Sequence, residues 1–234
     1  MGDRLQFKAV ESQIQKLKSP VLEVGSKIYE GGVSFNFRNL FQSSTNSKVE
    51  FVGIDMLPGE GVDRVVNLCD DFDKIDQQLN GVRFNTIICG SVLEHCSNPF
   101  KAAENMMKML ASGGVIFVSV PFAFQIHGYP DDYFRFTPNG VKVLFHELDF
   151  EQIPGHFCSN DHLPEEIHDL KELPNYWIDF RAAKHKREKK FGLFLEAVLL
   201  KIFGFFGLFR SFTKHNYAFP VITLNLFGVK TENK

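Results

Sequence analysis

Four short apolar segments in the first half of the chain each end in residues that could hold a ligand. These residues are Glu23, Gly25, Ser26, Asp55, Asn67, Leu68, Gly90 and Ser91. If the four segments are parallel strands of one sheet, the residues meet at a single edge. That edge is where open α/β sheets bind their ligands.

Two carboxylates restrict which ligand this edge could hold. Asp55, at the end of the second segment, can accept hydrogen bonds from both hydroxyls of a ribose, which favours an adenosine-type ligand. Glu23 precedes the first turn, where a dinucleotide would place its pyrophosphate. A carboxylate there repels phosphate and attracts a cationic ammonium or sulfonium. An adenosine with a positively charged tail is S-adenosylmethionine, and we expect this cofactor.

Each of these residues also has a purely structural interpretation. Gly25 alone could be a turn glycine, Asp55 a helix cap or a solvated loop residue, and Asn67 a turn former. The hypothesis therefore depends on their joint placement at successive strand ends.

The intervening segments predict alternating strands and helices. Predicted strands cover 20–25, 49–55, 64–68, 84–90, 115–121, 149–157 and 217–230. The first three predicted helices cover 4–18, Val33 to Phe41 and Phe72 to Leu79. The fourth runs from Asn98 to Gly113-Gly114, and its predicted inward residues are Phe100, Ala103, Met107 and Leu110. The fifth begins at Thr137-Pro138, and its predicted inward residues are Val141, Leu144, Phe145 and Leu148. Continuously apolar strands alternating with helices are typical of a doubly wound α/β fold with a mostly parallel sheet.

The chain resembles class I S-adenosylmethionine-dependent methyltransferases of the type 11-like group. The segments that show this resemblance are VLEVGS, VGIDM, VVNL and NTIICGSVLEHCSNPFKAAENMMKMLASGGVIFVSVP. It covers about residues 15–150 and implies a seven-stranded Rossmann-like sheet whose last strand is antiparallel. The usual glycine-rich motif reads GSKIYEGG here, with only Gly25 in its expected place.

The resemblance also implies roles for individual residues. Glu23 and Gly25, with Ser26 beside them, would hold the methionine end of the cofactor, and Asp55 would bind the ribose. Met56, Asn67 and Leu68 would contact the adenine, although the family usually has Asp at the position of Asn67. Gly90 and Ser91 would line the sulfonium side.

The loop after the fifth strand carries the candidate catalytic residue. An imidazole titrates close to physiological pH, so His127 could take the proton of a hydroxyl acceptor, with Asp131 or Asp132 orienting it or acting directly. His95 is a second candidate. The alternatives are that His127 only packs in a lid and that Asp132 and Arg135 pair to hold the loop. The segment HGYPDDYFRFTP resembles a subgroup associated with polysaccharide and other glycan pathways, an analogy only.

Composition narrows the class of protein. The 234 residues carry 26 Lys+Arg against 28 Asp+Glu, a balance that argues against nucleic-acid binding driven by net charge. The four cysteines form no C-x-x-C pair, and no metal-ligand spacing is found among His156, His162, His168, His185 and His215, so we expect no metal site. With no signal-peptide pattern in the first residues, we expect a cytoplasmic protein with reduced thiols.

We interpret the chain as one domain, 1–234, with a Phe-rich helical insertion at 158–216. Within 181–212, a basic run precedes nineteen mostly apolar residues. That segment could cover the domain's own core or acceptor pocket, lie in a membrane interface, or form a homodimer face. A transmembrane span is disfavoured because Glu196 and Lys201 would lie inside the bilayer.

The sequence thus predicts a methyltransferase acting on a hydroxyl of a sugar or related small molecule. Three alternatives stay open: a methyltransferase for a lipid-linked or quinone-like acceptor at the membrane surface, a non-catalytic module that binds the cofactor or a membrane, and a nicotinamide-dependent oxidoreductase. The absence of a G-x-G-x-x-G fingerprint disfavours the oxidoreductase.

Overall fold

The structure is a computed structural model, and it describes residues 4–29, 36–44, 48–128, 131–159, 168–169 and 222–231. These residues all belong to one compact unit, formed by the chain up to residue 171 and from residue 221 onward.

The helices of the described residues are α1 (Arg4–Gln13), α2 (Phe37–Ser44), α3 (Phe72–Gln78), α4 (Pro99–Met109) and α5 (Pro138–Leu144), with 3₁₀ turns at Ile14–Lys16 and Leu93–His95. The predicted starts of α4 and α5 are confirmed. Asn98 and Thr137 each accept a hydrogen bond from the backbone N–H three residues later, and each is followed by a proline, which tolerates the first helical position.

The strands are β1 (Val21–Val24), β2 (Phe51–Asp55), β3 (Arg64–Val65), β4 (Phe84–Gly90), β5 (Leu110–Ala123), β6 (Leu148–Asp149), β7 (His156–Ser159), β8 (His168–Asp169) and β9 (Ile222–Lys230). They form one sheet in the order β3-β2-β1-β4-β5-β9-β7-β8, and β6 also pairs with β9. β1 to β5 pair in parallel, whereas β9 is antiparallel to β5.

The predicted fold class is confirmed. Seven strands, β3-β2-β1-β4-β5-β9-β7, form the expected mostly parallel sheet with an antiparallel last strand, and β6 and β8 add two residues each. The sixth predicted strand, 149–157, is instead two short strands, β6 and β7, which pair with opposite ends of β9. The strand order reverses between β1 and β4, so the ligand-binding crevice of such a sheet is expected there.

Helices α1 and α2 cover one face of this sheet. Ala9 and Val10 of α1 and Phe37 and Phe41 of α2 share a buried cluster with residues of β1, β2, β4, β5 and β9. Leu17 belongs to the same cluster and Ile14 packs on it, as their spacing predicts, although α1 itself ends at Gln13. This packing places the start of α1 close to the carboxyl ends of the strands.

Two predictions about α4 are wrong. The helix ends at Met109 rather than at Gly113-Gly114, because Leu110 is extended and already pairs with β4. Lys230 of β9 donates to the carbonyls of Met107 and Leu110, at 2.8 and 3.0 Å, and so satisfies acceptors at the helix end. Phe100 is 63% exposed because it lies about 120–160° around the helix from the fully buried Ala102 and Met106.

Several predicted boundaries shift toward shorter elements. The third strand keeps only Arg64–Val65, and the helix predicted from Val33 begins at Phe37, with Val33 outside the described residues. The predicted inward residues of α5, from Val141 to Leu148, are all buried.

Most of the predicted insertion, including all of 181–212, lies outside the described residues, so its three interpretations stay predictions. Within the described part of the chain, none of the helices has the length and apolar character needed to cross a membrane.

Candidate functional site

The turn after β1 is held between the ends of β2 and β4. The backbone N–H groups of Gly25 and Ser26 both donate to the carbonyl of Ile54, at 2.9 and 3.1 Å. Gly25 has a φ of +74°, and a Cβ added there would lie 2.5 Å from Cγ2 of Val92. Glycine is therefore required both for the backbone conformation and for the close approach to the segment after β4.

The hydroxyl of Ser26 is a buried polar group in this turn. Ser26 is 7% exposed, and its Oγ has no hydrogen-bond partner among the described residues. A Cβ on Gly53 of β2 would lie 2.7 Å from this oxygen, so the hydroxyl sits directly against the backbone of β2. Buried hydroxyls are normally paired, so the unpaired Ser26 Oγ is an unusual feature of this turn.

Asp55 contacts the same turn from the end of β2. Its Oδ1 accepts from the backbone N–H of Leu57 at 2.9 Å, and its Oδ2 from that of Lys27 at 3.4 Å. Each carboxylate oxygen has a second lone pair, so both can still accept a hydroxyl. The next residue, Met56, is 49% exposed and offers an apolar surface beside the carboxylate.

Glu23 lies in β1 among partly buried charges. Burial raises the pKa of Glu23 to about 7, Arg38 lowers it and Asp63 raises it. Arg38 and Asp63 form an ion pair, and Asp63 also accepts from the backbone N–H of Gly53 at 2.6 Å. A carboxyl group that is only marginally ionised at neutral pH would gain from a nearby cation.

Asn67 and Leu68 follow β3 along the chain, and Leu68 contacts α4. Asn67 is exposed, and its side-chain oxygen accepts from the backbone N–H two residues later, at 3.0 Å. Leu68 is buried, and its carbonyl accepts from Nδ2 of Asn105 at 2.7 Å. The N–H of Val66 donates to the carbonyl of Asp55 at 2.9 Å, so this segment adjoins the end of β2.

Gly90 and Ser91 meet a residue that sequence reasoning missed. Ser91 has a φ of +54°, and its Oγ accepts from Nε2 of Gln6 at 2.8 Å. A Cβ on Gly90 would lie 2.9 Å from Oε1 of Gln6. Gln6 is 1% exposed, and it lies four residues before Val10 on the apolar side of α1. The feature of the sequence that could have identified Gln6 is an amide side chain on the apolar face of a predicted helix.

The loop after β5 is attached to the 3₁₀ turn that follows β4. The backbone N–H groups of Tyr133 and Phe134 donate to the carbonyl of Glu94, at 2.8 and 3.4 Å. The N–H of Phe136 donates to the carbonyl of Pro121 at 3.0 Å. These bonds bring the predicted acceptor loop next to Ser91 and the end of β4.

Glu94, His95 and His127 form a cluster at this junction. One ligand atom from each side chain lies within 4.8 Å of the other two, and the imidazole rings of the two histidines are in edge contact at 4.9 Å. Burial raises the pKa of Glu94 to about 7 and lowers the pKa of His95. Glu94 is 1% exposed, and its Oε2 has no hydrogen-bond partner among the described residues.

Asp132 holds His127 and Arg135 together. Its Oδ2 lies 3.1 Å from Nδ1 of His127 and accepts the backbone N–H of the same residue at 2.9 Å. Arg135 binds both oxygens of Asp132, at 2.5 and 2.7 Å, and this pairing holds the pKa of Asp132 well below its usual range. Asp132 is therefore a poor proton acceptor, and its position suits orientation of the imidazole. Asp131 reaches His95 only through its backbone carbonyl, at 2.6 Å from Nδ1.

The carboxyl edge of the sheet thus gathers most of the predicted site. Gly25 and Ser26 bind the carbonyl of Ile54, and Asp55 binds the same turn through Lys27. Val92 lies against Gly25 and so connects the turn to the segment after Ser91. Asn67 and Leu68 adjoin the end of β2, while His127 lies with Glu94 beyond the end of β4.

Comparison with known proteins finds similarity at the level of structure. No protein-family model matches the chain, and no curated protein sequence matches it. A candidate methyltransferase from Thermobifida fusca YX is similar with a TM-score of 0.52 at 12% identity, covering 98% of this chain and 80% of that one.

Two further solved structures are similar over nearly the whole chain. A SAM-dependent methyltransferase from Archaeoglobus fulgidus has a TM-score of 0.49 at 15% identity, covering 96% of this chain and 92% of that one. The N-methyltransferase NodS from Bradyrhizobium japonicum WM9, in complex with S-adenosyl-L-homocysteine, has a TM-score of 0.48 at 12% identity, covering 98% and 90%. The strand order and the likeness to the Thermobifida protein together identify the fold as the Rossmann-like methyltransferase fold.

Proposed function

We propose that the protein is an S-adenosylmethionine-dependent methyltransferase. The observation that carries this proposal is the contact between the Gly25–Ser26 turn, Asp55 and the segment after Ser91 at the point where the strand order reverses. In sheets of this kind, that point is the ligand-binding crevice.

The residues at this crevice suit the parts of the proposed cofactor. Asp55 would accept the ribose hydroxyls with its remaining lone pairs, and Met56 and Leu68 would border the adenine. Glu23 would favour the positively charged tail, and the unpaired hydroxyl of Ser26 would bind a polar group of it. When bound, the cofactor supplies an electrophilic methyl group, so the protein's main contribution is alignment of the acceptor.

We further propose that His127 takes the proton from a hydroxyl acceptor. Asp132 and the carbonyl of Gln125 lie 3.1 and 3.2 Å from its Nδ1, which fixes the proton on Nδ1. The lone pair of Nε2 is then the proton acceptor, and Asp132 is a positioning residue that also stabilises the imidazolium.

A sugar-type small molecule is the acceptor class we favour. The exposed rings of Tyr133 and Phe134, 50% and 37% exposed, adjoin the polar group of Glu94, His95 and His127. Aromatic surface beside a few polar groups suits a molecule with apolar ring faces and hydroxyls. The resemblance of HGYPDDYFRFTP to glycan-pathway enzymes supports a place in polysaccharide biosynthesis.

Cofactor binding is tested by calorimetry with S-adenosylhomocysteine. We expect Asp55→Ala to weaken binding by about 1–3 kcal/mol, the scale of a lost charge-assisted hydrogen bond. Asp76→Ala is the matched control, because Asp76 pairs with Arg83 at the opposite edge, before β4, and should leave the affinity unchanged. Equal affinity in the wild type and Asp55→Ala would remove Asp55 from the site.

Catalysis is tested by following S-adenosylhomocysteine release with nucleotide sugars and lipid-linked sugars as acceptors. We expect His127→Ala to lower turnover by about 10²–10⁴-fold while cofactor affinity stays the same. His146→Ala, which changes an exposed histidine after α5, is the control. Cofactor binding without turnover on any acceptor would instead favour the non-catalytic module.

A lipid-linked or quinone-like acceptor is the second candidate. The observation in its favour is the basic run in 181–190 followed by the apolar segment 191–209, a pattern typical of membrane-surface segments. Such a segment would bring the enzyme to a membrane that carries a lipid-borne substrate.

A further inference from the structure

We propose that Glu94, His95 and His127 form a binding site for a divalent transition-metal ion. The three side chains supply two imidazole nitrogens and one carboxylate oxygen, with one ligand atom of each inside 4.8 Å of the others. The inference does not depend on the proposed function, because metal binding is measured in the absence of cofactor and acceptor.

The hydrogen bonds of both histidines leave the same nitrogen available. Nδ1 of His95 lies 2.6 Å from the carbonyl of Asp131, and Nδ1 of His127 lies 3.1 Å from Oδ2 of Asp132. Each Nδ1 therefore carries a proton that faces an oxygen, and each Nε2 presents a lone pair. Histidines that bind metals typically have this arrangement, with the second ring nitrogen held by a carbonyl or carboxylate.

Glu94 provides the third ligand, and one of its carboxylate oxygens has no hydrogen-bond partner among the described residues. Its side chain is 2% exposed, its Oε2 is unpaired among the described residues, and its Oε1 lies 3.9 Å from Nε2 of His95. A buried carboxylate oxygen without a donor is costly, and a metal ion in contact with it would offset that cost. The orphaned oxygen thus points to a cation, whereas the histidines alone would not.

The geometry requires a small closure around the ion. Two ligands of a tetrahedral zinc ion with bonds near 2.0–2.1 Å are roughly 3.3 Å apart, less than the 4.8 Å span seen here. The side chain of His127 is 28% exposed and lies in a loop, so it is the ligand best able to move inward. Asp132 would still hold its Nδ1.

The ligand set favours transition metals over Mg²⁺ and Ca²⁺. Imidazole with one carboxylate suits Zn²⁺, Co²⁺, Ni²⁺ and Fe²⁺, whereas Mg²⁺ and Ca²⁺ prefer oxygen ligands. Three protein ligands leave a coordination position open to solvent or substrate. Nε2 of His127 cannot bind an ion and accept a proton at the same time, so we expect Zn²⁺ to inhibit the proposed His127-dependent methyl transfer.

The experiment is calorimetric titration of the untagged, chelator-treated full-length protein with Zn²⁺. We expect one ion to bind per chain, and we expect Glu94→Gln and His127→Ala to lose at least the ~10–100-fold in affinity that removal of an outer-shell partner typically costs. His146→Ala is the matched control and should bind like the wild type. Co²⁺ provides a second readout through an absorption spectrum indicating nitrogen and oxygen ligands.

Two results would overturn the inference: no saturable binding of Zn²⁺, or unchanged affinity in both variants. Circular dichroism establishes that each variant is folded, and the partly exposed His127 provides a substitution that spares the core if Glu94→Gln unfolds the protein. Loss of Zn²⁺ binding with intact methyl transfer, or the converse, separates this inference from the proposed function.

Discussion

The ionisation of individual acidic residues at the carboxyl edge depends on their surroundings more than on their residue type. Glu23 and Glu94 are ordinary carboxylates in the sequence, yet burial raises the pKa of each to about 7. Asp132 is equally ordinary, and the bidentate contact with Arg135 lowers its pKa instead. Glu23 and Glu94 therefore become charged only near pH 7, whereas Asp132 is already charged at much lower pH.

The raised pKa of Glu23 predicts a pH dependence of cofactor binding. Below about pH 7 the folded protein holds Glu23 protonated, so a cationic ligand must displace a proton. We expect affinity for S-adenosylmethionine to rise with pH, by up to ~10-fold per unit between about pH 5.5 and pH 7, and then to level off. Calorimetry in buffers of different ionisation enthalpy measures both the affinity and the released proton.

Glu23→Gln is the matched variant, because it keeps the shape of the side chain and removes the titration. Its affinity should change less with pH than that of the wild type. The free energy of unfolding depends on pH in the opposite sense. Deprotonation of a carboxyl with a raised pKa destabilises the folded state, so the contribution of Glu23 to the free energy of unfolding falls as pH rises through about 7. Identical pH profiles in the two proteins would contradict a role for Glu23 in binding the positive tail.

At the scale of elements, the turn after β1 depends on contacts from distant parts of the chain. Gly25 lies against Val92, and Ser91 is held by Gln6 of α1, so three separate segments meet there. The helix α1 reaches this point because its Ala9 and Val10 are buried in the cluster that also contains β1 and β4. Packing of the helix thus decides which polar side chain touches the end of β4.

Substitution of Gly25 tests this contact. Gly25→Ala should destabilise the protein by about 1–2 kcal/mol for the left-handed backbone and by a further ~1–3 kcal/mol for the collision with Val92. Gly81→Ala is the control, because Gly81 has a φ of +70° and no heavy atom within 4 Å of the added Cβ. Urea unfolding gives both values, and equal losses would mean that the turn moves away from Val92 at little cost.

At the scale of the whole molecule, the candidate site lies on the described sheet, whereas the role of the Phe-rich segment stays a prediction. A deletion of residues 181–212, tested by flotation with anionic liposomes beside the full chain, distinguishes the interpretations of that segment. Membrane docking predicts that the full chain floats and the deletion does not, because a basic run binds anionic lipid and the apolar face inserts. Equal behaviour of the two proteins would favour a core or dimer role.

The strength of the sequence signals explains which parts of the fold could be predicted. The sequence predicts the bounds of β4 correctly because Phe84–Gly90 contains the apolar residues Ile87, Ile88 and Cys89 and ends in a glycine, and it predicts the starts of α4 and α5 from Asn98 and Thr137. The end of α4 could not be found, because its last carbonyls are satisfied by Lys230, more than a hundred residues away. Gln6 and Ser91 are also far apart along the chain, so no local pattern predicts their contact.

Local periodicity and turn chemistry act over a few residues, so the sequence alone predicts the alternation of strands and helices and the position of Gly25, Asp55 and Ser91 at strand ends. The tertiary structure adds the cluster of Glu94, His95 and His127, the pairing of Asp132 with Arg135 beside His127, and the hydroxyl of Ser26 that is unpaired among the described residues. These properties arise from burial and from contacts between segments far apart in the chain, and no local pattern encodes either.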